Sequence, residues 1–402
     1  MEEAESPDGG EVISKSAALK FVVLLGIVSL FGDMTYEGAR SITGAYLSLL
    51  GARAAVVGFA AGFGEFVGYG LRLVSGYISD RTGRYWTITM VGYALNLLVV
   101  PMLALAGRWE IAVGLMIAER IGKALRTPAR DAMLSHATKT MGRGWGFGLH
   151  EAMDQIGAAS GPAAVALVLL YRSSYKQGFA ILLIPALLAL GALLLARMLF
   201  PNPRRFESNP AKIETAGLNK SFWIYLAAVA MIGAGYVDFP LIAFHLKKTA
   251  LASDNGIPLL YTMAMGIDAV AALVFGRLYD RFGLRVLVLA SLLSSLSTPL
   301  VFLGGFRSVI MGMLLWGIGM GAQESIMRAV IGDMVPANRR GSAYGLFYAG
   351  YGLFWFLGSL VAGLVYDVSL LWLAFISMGL QVASIPLLLW TGRTARLGHG
   401  EA

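Results

Sequence analysis

Cysteine is absent from this 402-residue chain, which excludes disulfides and thiolate metal sites. Histidine is nearly absent: there are four, with no HxxxH or HExxH spacing, so a zinc hydrolase site has no support in the sequence. GxSxG, the phosphate-binding P-loop and the dinucleotide GxGxxG are missing as well. That removes the usual signatures of acyl hydrolysis and nucleotide-driven work, and an enzyme is not expected. Charge is scarce. Asp, Glu, Lys and Arg make up 14% of residues, against about a quarter in a soluble domain. A soluble bundle of this length needs a charged face on each helix, and this chain has too few charges to supply one.

Apolar residues make up 57% of the chain, and the mean hydropathy is +0.68. They gather into runs long enough to cross a bilayer as helices, about 20 residues each. Twelve spans follow: Leu19–Leu50, Ala54–Ser79, Trp86–Ala106, Ile111–Ser135, Gly144–Tyr171, Phe179–Phe200, Phe222–Leu246, Ile257–Tyr279, Val286–Leu303, Val309–Met334, Ala343–Tyr366 and Leu370–Trp390. The expected class is an all-α membrane protein. A cytoplasmic tail (1–17) precedes a first six-helix bundle (18–200). A Pro-containing polar linker (201–220) leads to a second six-helix bundle (221–392) and a short tail (393–402). The first twenty residues lack the basic start and cleavage site of a signal peptide, so span 1 is expected to stay uncleaved.

The net charge of +8 invites a nucleic-acid reading, but its distribution argues against one. With the N-terminus inside and the spans alternating, the outside loops hold only Arg53, Arg108, Arg172, Lys176, Lys247, Lys248 and Arg307. The inside segments hold Arg81, Arg84, Arg204, Arg205, Arg339, Arg340 and others. Positive residues are retained on the cytoplasmic side, so both termini are assigned to the cytoplasm and the chain to the cytoplasmic (inner) membrane. The bilayer is the expected partner and nucleic acid is not; a monomer is expected.

The halves carry a duplicated mark. Asp80-Arg81-Thr82-Gly83-Arg84 ends span 2, and Asp280-Arg281-Phe282-Gly283 ends span 8, each preceded at the same offset by Gly76 or Gly276. The preceding glycines are expected to let a neighbouring helix come close, and Gly83 and Gly283 to permit the reversal into the next span. Asp80 and Asp280 are placed to latch onto the positive end of a helix starting near Gly341 or Gly144, closing the cytoplasmic side in one conformation.

These residues resemble a known family. Gly76–Arg84 (GYISDRTGR) looks like the motif between the second and third helices of the major facilitator superfamily, and Gly276–Gly283 like its degenerate second copy. Gly157, Gly161 and Pro162 look like the GxxxGP motif of that superfamily's antiporters, and Arg120 sits where the family has a membrane-embedded arginine. Gly122–Met133 with Gly146–Pro162 is similar to a bacterial and archaeal branch that includes drug and metal exporters. The resemblance implies two six-helix lobes, alternating access and a substrate held between the lobes. Without it, Gly157 and Gly161 already read as a close-packing face, with Pro162 loosening the helix beside it.

Charges inside spans cost roughly 2.5–3.5 kcal/mol each at mid-helix, so they must face a cavity or a partner. Asp33, Glu37 and Arg40 form one stripe of span 1. Glu65 and Arg72 share a face of span 2. Glu119, Lys123, Arg126 and Arg130 form a stripe of span 4, with Arg120 and Asp131 on a second. His150 and Asp154 share the face of Gly157 in span 5, beside Glu151. The second half has Asp238 and His245 in span 7, Asp268 in span 8, and Glu324 with Arg328 in span 10. If Gly161 matches Gly358, His150, Glu151 and Asp154 become Phe347, Tyr348 and Tyr351, an aromatic wall facing an ionisable one. Tyr344, Tyr348, Tyr351 and Trp355 share a stripe. Tyr46, Tyr93, Tyr236 and Tyr261 are further candidates to line a cavity.

A carboxylate whose partner arginine moves away as the lobes rock gains a proton. Asp33, Glu37, Glu119, Glu151 and Asp154 are candidates for that role, with Arg40, Arg120 and Arg126 as moving counter-charges. The expected function is proton-coupled secondary transport of a small solute, an organic cation in efflux. The alternatives are a divalent metal exporter, an anion symporter or uniporter, and a non-transporting receptor or scaffold. No cofactor or resident metal is implied. Replacing Asp80→Asn is expected to impair transport while the protein still inserts; normal transport kinetics in that variant would dispose of the latch.

Overall fold

The structure is a computed structural model describing residues 15–137, 143–201, 218–335 and 340–397. Among these residues the regular structure is helical. The first lobe contains α1 (Lys15–Leu49), α2 (Ala54–Thr82), α3 (Tyr85–Met102), α4 (Trp109–Ala137) and α5 (Arg143–Arg172). Its sixth span is split into α6 (Tyr175–Ile181) and α7 (Leu183–Leu199). The second lobe opens with another split span, α8 (Lys220–Gly235) and α9 (Phe239–Lys248), followed by α10 (Gly256–Phe282). Its third span is split into α11 (Arg285–Ser295) and α12 (Ser297–Leu303), and α13 (Phe306–Met334), α14 (Arg340–Tyr366) and α15 (Leu370–Leu397) complete it. Together these make the twelve expected spans. The helix of span 1 begins inside the tail drawn at 1–17, and the last helix passes 392. Most of the 201–220 linker lies outside the described residues.

Eleven of the spans are long and apolar enough to cross a bilayer on composition alone. The twelfth, α4, carries Glu119, Arg120, Lys123, Arg126, Arg130 and Asp131, and its charges turn inward. Arg126 is 1% exposed. Outward-facing positions such as Leu187, Val270, Leu273, Leu364 and Phe375 are exposed and apolar, which suits contact with lipid.

Helix packing shows the internal symmetry directly. In the first lobe Gly161 of α5 lies so close to α1 that a Cβ would strike the Met34 carbonyl. In the second lobe Gly358 of α14 meets the Ala234 carbonyl of α8 in the same way. Met34 and Ala234 lie 200 positions apart, matching the spacing of the duplicated Asp80 and Asp280. α5 runs through Pro162 as one helix, with that proline next to the tight contact of Gly161 with α1.

The duplicated turns behave unequally. Gly83 and Gly283 both hold φ of +62°, the left-handed region that glycine enters without strain. Gly76 faces Pro128 of α4 at ordinary van der Waals distance. Among the described residues nothing lies opposite Gly276, so the expected close neighbour is not found there.

Leucine at Gly161 or Gly358 is expected to lower the unfolding midpoint, since each overpacks a backbone contact at a cost of about 1–3 kcal/mol. Gly276→Ala is expected to leave the midpoint unchanged. Thermal unfolding of the purified variants checks both, and equal midpoints for all three would contradict the close contacts.

Candidate functional site

The lobes meet along α1 and α9, α2 and α14, and α5 and α10. On the side away from the termini the seam is tight. Gly44 abuts the Pro240 backbone, Gly58 abuts the Ser359 carbonyl, and Tyr175 donates a hydrogen bond to Asp254 at 2.9 Å. From mid-span toward the terminus side the lobes part around a cavity of about 530 Å³, bounded by α1, α2, α4, α5, α10, α13 and α14.

Its floor is ionic. The span formed by α8 and α9 unwinds at Tyr236–Asp238. Asp238 is extended (φ −66°, ψ 144°), and Pro240 sits in the first turn of α9, where its missing N–H costs nothing. The break turns the Asp238 carboxylate toward the first lobe. One oxygen accepts from Arg40 Nη2 at 2.8 Å. The other accepts from Trp355 Nε1 at 2.6 Å and from the Ser359 hydroxyl at 3.4 Å. Arg40 also lies 3.2 Å from Glu65 and 3.8 Å from Glu37. Glu65 is 3.1 Å from Arg120, and Arg120 is 3.2 Å from Glu119, which accepts from Asn96 at 2.6 Å. A second crossing between lobes is the Tyr261 hydroxyl donating to Glu37 at 2.5 Å. Four carboxylates (Glu37, Glu65, Glu119, Asp238) thus share two guanidinium groups (Arg40, Arg120).

Above the floor, the first-lobe wall holds Asp33, Lys123, Arg126, Arg72 and Asp154, and the second-lobe wall holds Asp268, Glu324, Tyr348 and Tyr351. Lys123 Nζ lies 3.8 Å from the centre of the Tyr36 ring, and the Arg126 guanidinium 4.2 Å from that of Tyr93. Tyr348 stacks on Tyr69 of the other lobe at 5.6 Å, and Tyr351 donates to Gln323 at 3.0 Å. The stripe Tyr344, Tyr348, Tyr351 and Trp355 lines the cavity along its length. Glu151 is exposed on the first-lobe wall.

Two of the site residues expected from sequence lie elsewhere. Glu119 sits behind Arg120, against Asn96 of α3. His150 is buried behind the wall, 3.0 Å from Ser29 and 3.5 Å from Asp154, where close α1–α5 packing keeps it off the cavity. Tyr46, Tyr93, Tyr236 and Tyr261 do not line the cavity: Tyr46 and Tyr236 are packing residues, Tyr93 lies under Arg126, and Tyr261 reaches Glu37. The hydroxyls of Tyr46 and Tyr236 bond backbone carbonyls of Ala106 and Trp316. Asp80 is exposed and accepts from Tyr85 of its own lobe at 3.1 Å. The side chains that begin α5 and α14, the expected latch partners, lie outside the described residues, and Asp280 is exposed.

The sequence model of the Major Facilitator Superfamily matches residues 22–239 and again 224–401. The chain belongs to this superfamily. As an MFS transporter it is 39% identical over 379 residues to an uncharacterised protein of Mycobacterium tuberculosis, covering 92% of this chain and 93% of that one. It is 27% identical over 362 residues to an uncharacterised MFS-type transporter of Methanocaldococcus jannaschii, covering 87% and 89%. A solved peptide transporter of the POT type shares its fold with a TM-score of 0.77 at 14% identity, over 96% of this chain and 100% of that one.

Within this MFS transporter Glu65, Asp238 and Tyr261 complete the floor; the sequence named all three but not these partners. Glu65 was visible as a charge in span 2. Asp238 carried one further signal, the Asp-Phe-Pro sequence that breaks a span. Tyr261 carried no sign of its partner, because only the lobe interface brings it to Glu37. A double-mutant cycle on Arg40→Gln and Asp238→Asn checks the crossing. Each single change is expected to lower the unfolding midpoint by leaving a buried charge unpaired. The double variant is expected to recover part of the loss, a coupling of about 1–3 kcal/mol; strictly additive losses would refute the pairing.

Proposed function

We propose that this MFS transporter exports an organic cation across the cytoplasmic membrane in exchange for protons, as a monomer with both termini in the cytoplasm. The observation that carries this reading is the cavity: both lobes bound it, an ionic floor seals it on one side, and it extends toward the terminus side. A cavity of this kind, reached from one face at a time, is what alternating access requires.

In this reading the described state faces the cytoplasm. A cation enters past Glu151 and Glu324, rests against the faces of Tyr348 and Tyr351, and meets Asp268. Return of protons from the far side requires the floor to open, which separates Arg40 from Asp238 and Tyr261 from Glu37. The carboxylates so released take up protons, and closure delivers them inward. Asp33, beside Lys123 and Arg126, is the proton site on the first-lobe wall. Direction rests on the resemblance of Gly157–Pro162 to antiporters, and orientation on the excess of Lys and Arg on the terminus-side loops.

Export of a divalent ion is the second reading, favoured by the number of carboxylates. Those carboxylates are spread over α1, α5, α10 and α13, and among the described residues no group of three His, Asp or Glu is gathered to hold a metal. The aromatic wall also has no use for a hard cation, so the organic cation is preferred.

Inside-out vesicles containing the protein test the proposal. An acid interior is expected to drive saturable ethidium uptake, with counterflow against unlabelled ethidium. Asp33→Asn is expected to abolish the dependence on the pH gradient while counterflow persists. Unchanged dependence in that variant eliminates Asp33 as the proton site, and flux that never saturates eliminates the carrier.

A further inference from the structure

The cavity presents charged side chains of opposite sign with unused hydrogen-bonding capacity, on opposite lobes. On the first-lobe wall, among the described residues, no carboxylate lies within 4.0 Å of Lys123, Arg126 or Arg72. Arg126 is 1% exposed, and its Nε and Nη1 have no hydrogen-bond partner. What holds Lys123 and Arg126 is the faces of Tyr36 and Tyr93, and a ring face attracts a cation without cancelling its charge. Asp33 acts on both cations, Glu37 and Glu119 act on Lys123, and Asp154 acts on Arg126, none of them in a direct ion pair with either. Arg126 therefore keeps unused donors, and Lys123 rests only on a ring face, beside the cavity.

The second-lobe wall is the reverse. Asp268 is 2% exposed, and its Oδ1 has no hydrogen-bond partner. Glu324, one element away on α13, also lines the cavity, and no cation lies within 4.0 Å of it among the described residues. Arg328, one turn further on, spends its Nε on the Glu324 backbone carbonyl at 3.0 Å rather than on the carboxylate. Tyr348 and Tyr351 lie on this same wall. Buried charges without partners are costly, and a ligand carrying the complementary groups relieves both walls at once.

We infer that the transported solute is amphoteric and aromatic. Its anionic oxygen group, carboxylate or phosphate, lies on Lys123 and Arg126. Its protonated amine lies on Asp268 and Glu324, and its ring on Tyr348 and Tyr351. This deepens the organic-cation reading and rests on the same cavity. It adds a requirement that a simple cation does not meet: one molecule bridges the two lobes by opposite charges, and its presence favours their approach.

Thermal shift and equilibrium binding on the purified full-length protein test it, with matched probes on one skeleton. The probes are tryptamine (amine only), indole-3-propionate (carboxylate only), tryptophan (both), and tyramine against tyramine O-phosphate to separate phosphate from carboxylate. Amphoteric members are expected to raise the unfolding midpoint more than either singly charged relative. Arg126→Gln is expected to weaken amphoteric binding at least about tenfold while leaving amine-only binding unchanged, and Arg126→Lys to restore most of it. Asp268→Asn is expected to weaken amphoteric and amine binding together. If Arg126→Gln does not fold, Lys123→Gln carries the same expectation. Amines that bind as well as their amphoteric partners, or a panel in which no amphoteric member shifts the midpoint, overturn the inference. Amphoteric binding that persists without proton-driven flux leaves it standing and removes only the coupling proposed above.

Discussion

Arg40 bears the constraint on which the rest of the molecule depends. A largely buried guanidinium in mid-membrane cannot shed its charge, so acids must be brought to it. Glu37 and Glu65 come from its own lobe, but Asp238 comes from the other, 2.8 Å away. The requirement to pair one charge therefore pins two bundles together at one depth and leaves them free to part elsewhere. The broken span at Asp238 follows from the same need, since an intact helix would not present the carboxylate with Trp355 bonded to its second oxygen.

Close backbone contact supplies the second half of that closure. On the sealed side Gly44 and Gly58 let the lobes touch main chain to main chain, which excludes water from the ionic floor and strengthens its attractions. Within each lobe Gly161 and Gly358 do the equivalent work against the first helix, keeping α5 on α1 and α14 on α8 as rigid pairs. Rigid pairs meeting at a polar joint suit rocking better than bending, because packed helices shift as units.

The lobes are similar in backbone and opposite in chemistry. The register that sets Gly161 against Gly358 also sets His150, Glu151 and Asp154 against Phe347, Tyr348 and Tyr351. Duplication fixed the geometry of the cavity, and divergence made one wall ionisable and the other aromatic with isolated acids. The asymmetry gives a solute ionisable groups on one side and ring faces with isolated acids on the other.

What the sequence determined by itself was decided by local physics. Apolar runs of bilayer length gave the spans, the repeated Asp-Arg-x-Gly turns gave the two halves, and the i, i+4, i+7 spacing put Asp33, Glu37 and Arg40 on one stripe and the tyrosines of α14 on another. Even α4, too charged to pass the composition test for a span, was drawn at Ile111–Ser135, with its charges on two stripes. What only the tertiary structure decided was partnership. Whether His150 faces solvent or Ser29, whether Glu119 lies in the cavity or behind Arg120, and whether Asp238 belongs to Arg40 depend on how separate helices approach one another. Helical periodicity names the face a residue occupies but not what lies opposite it, because that neighbour comes from another span: Asn96 for Glu119, Ser29 for His150 and Arg40 for Asp238.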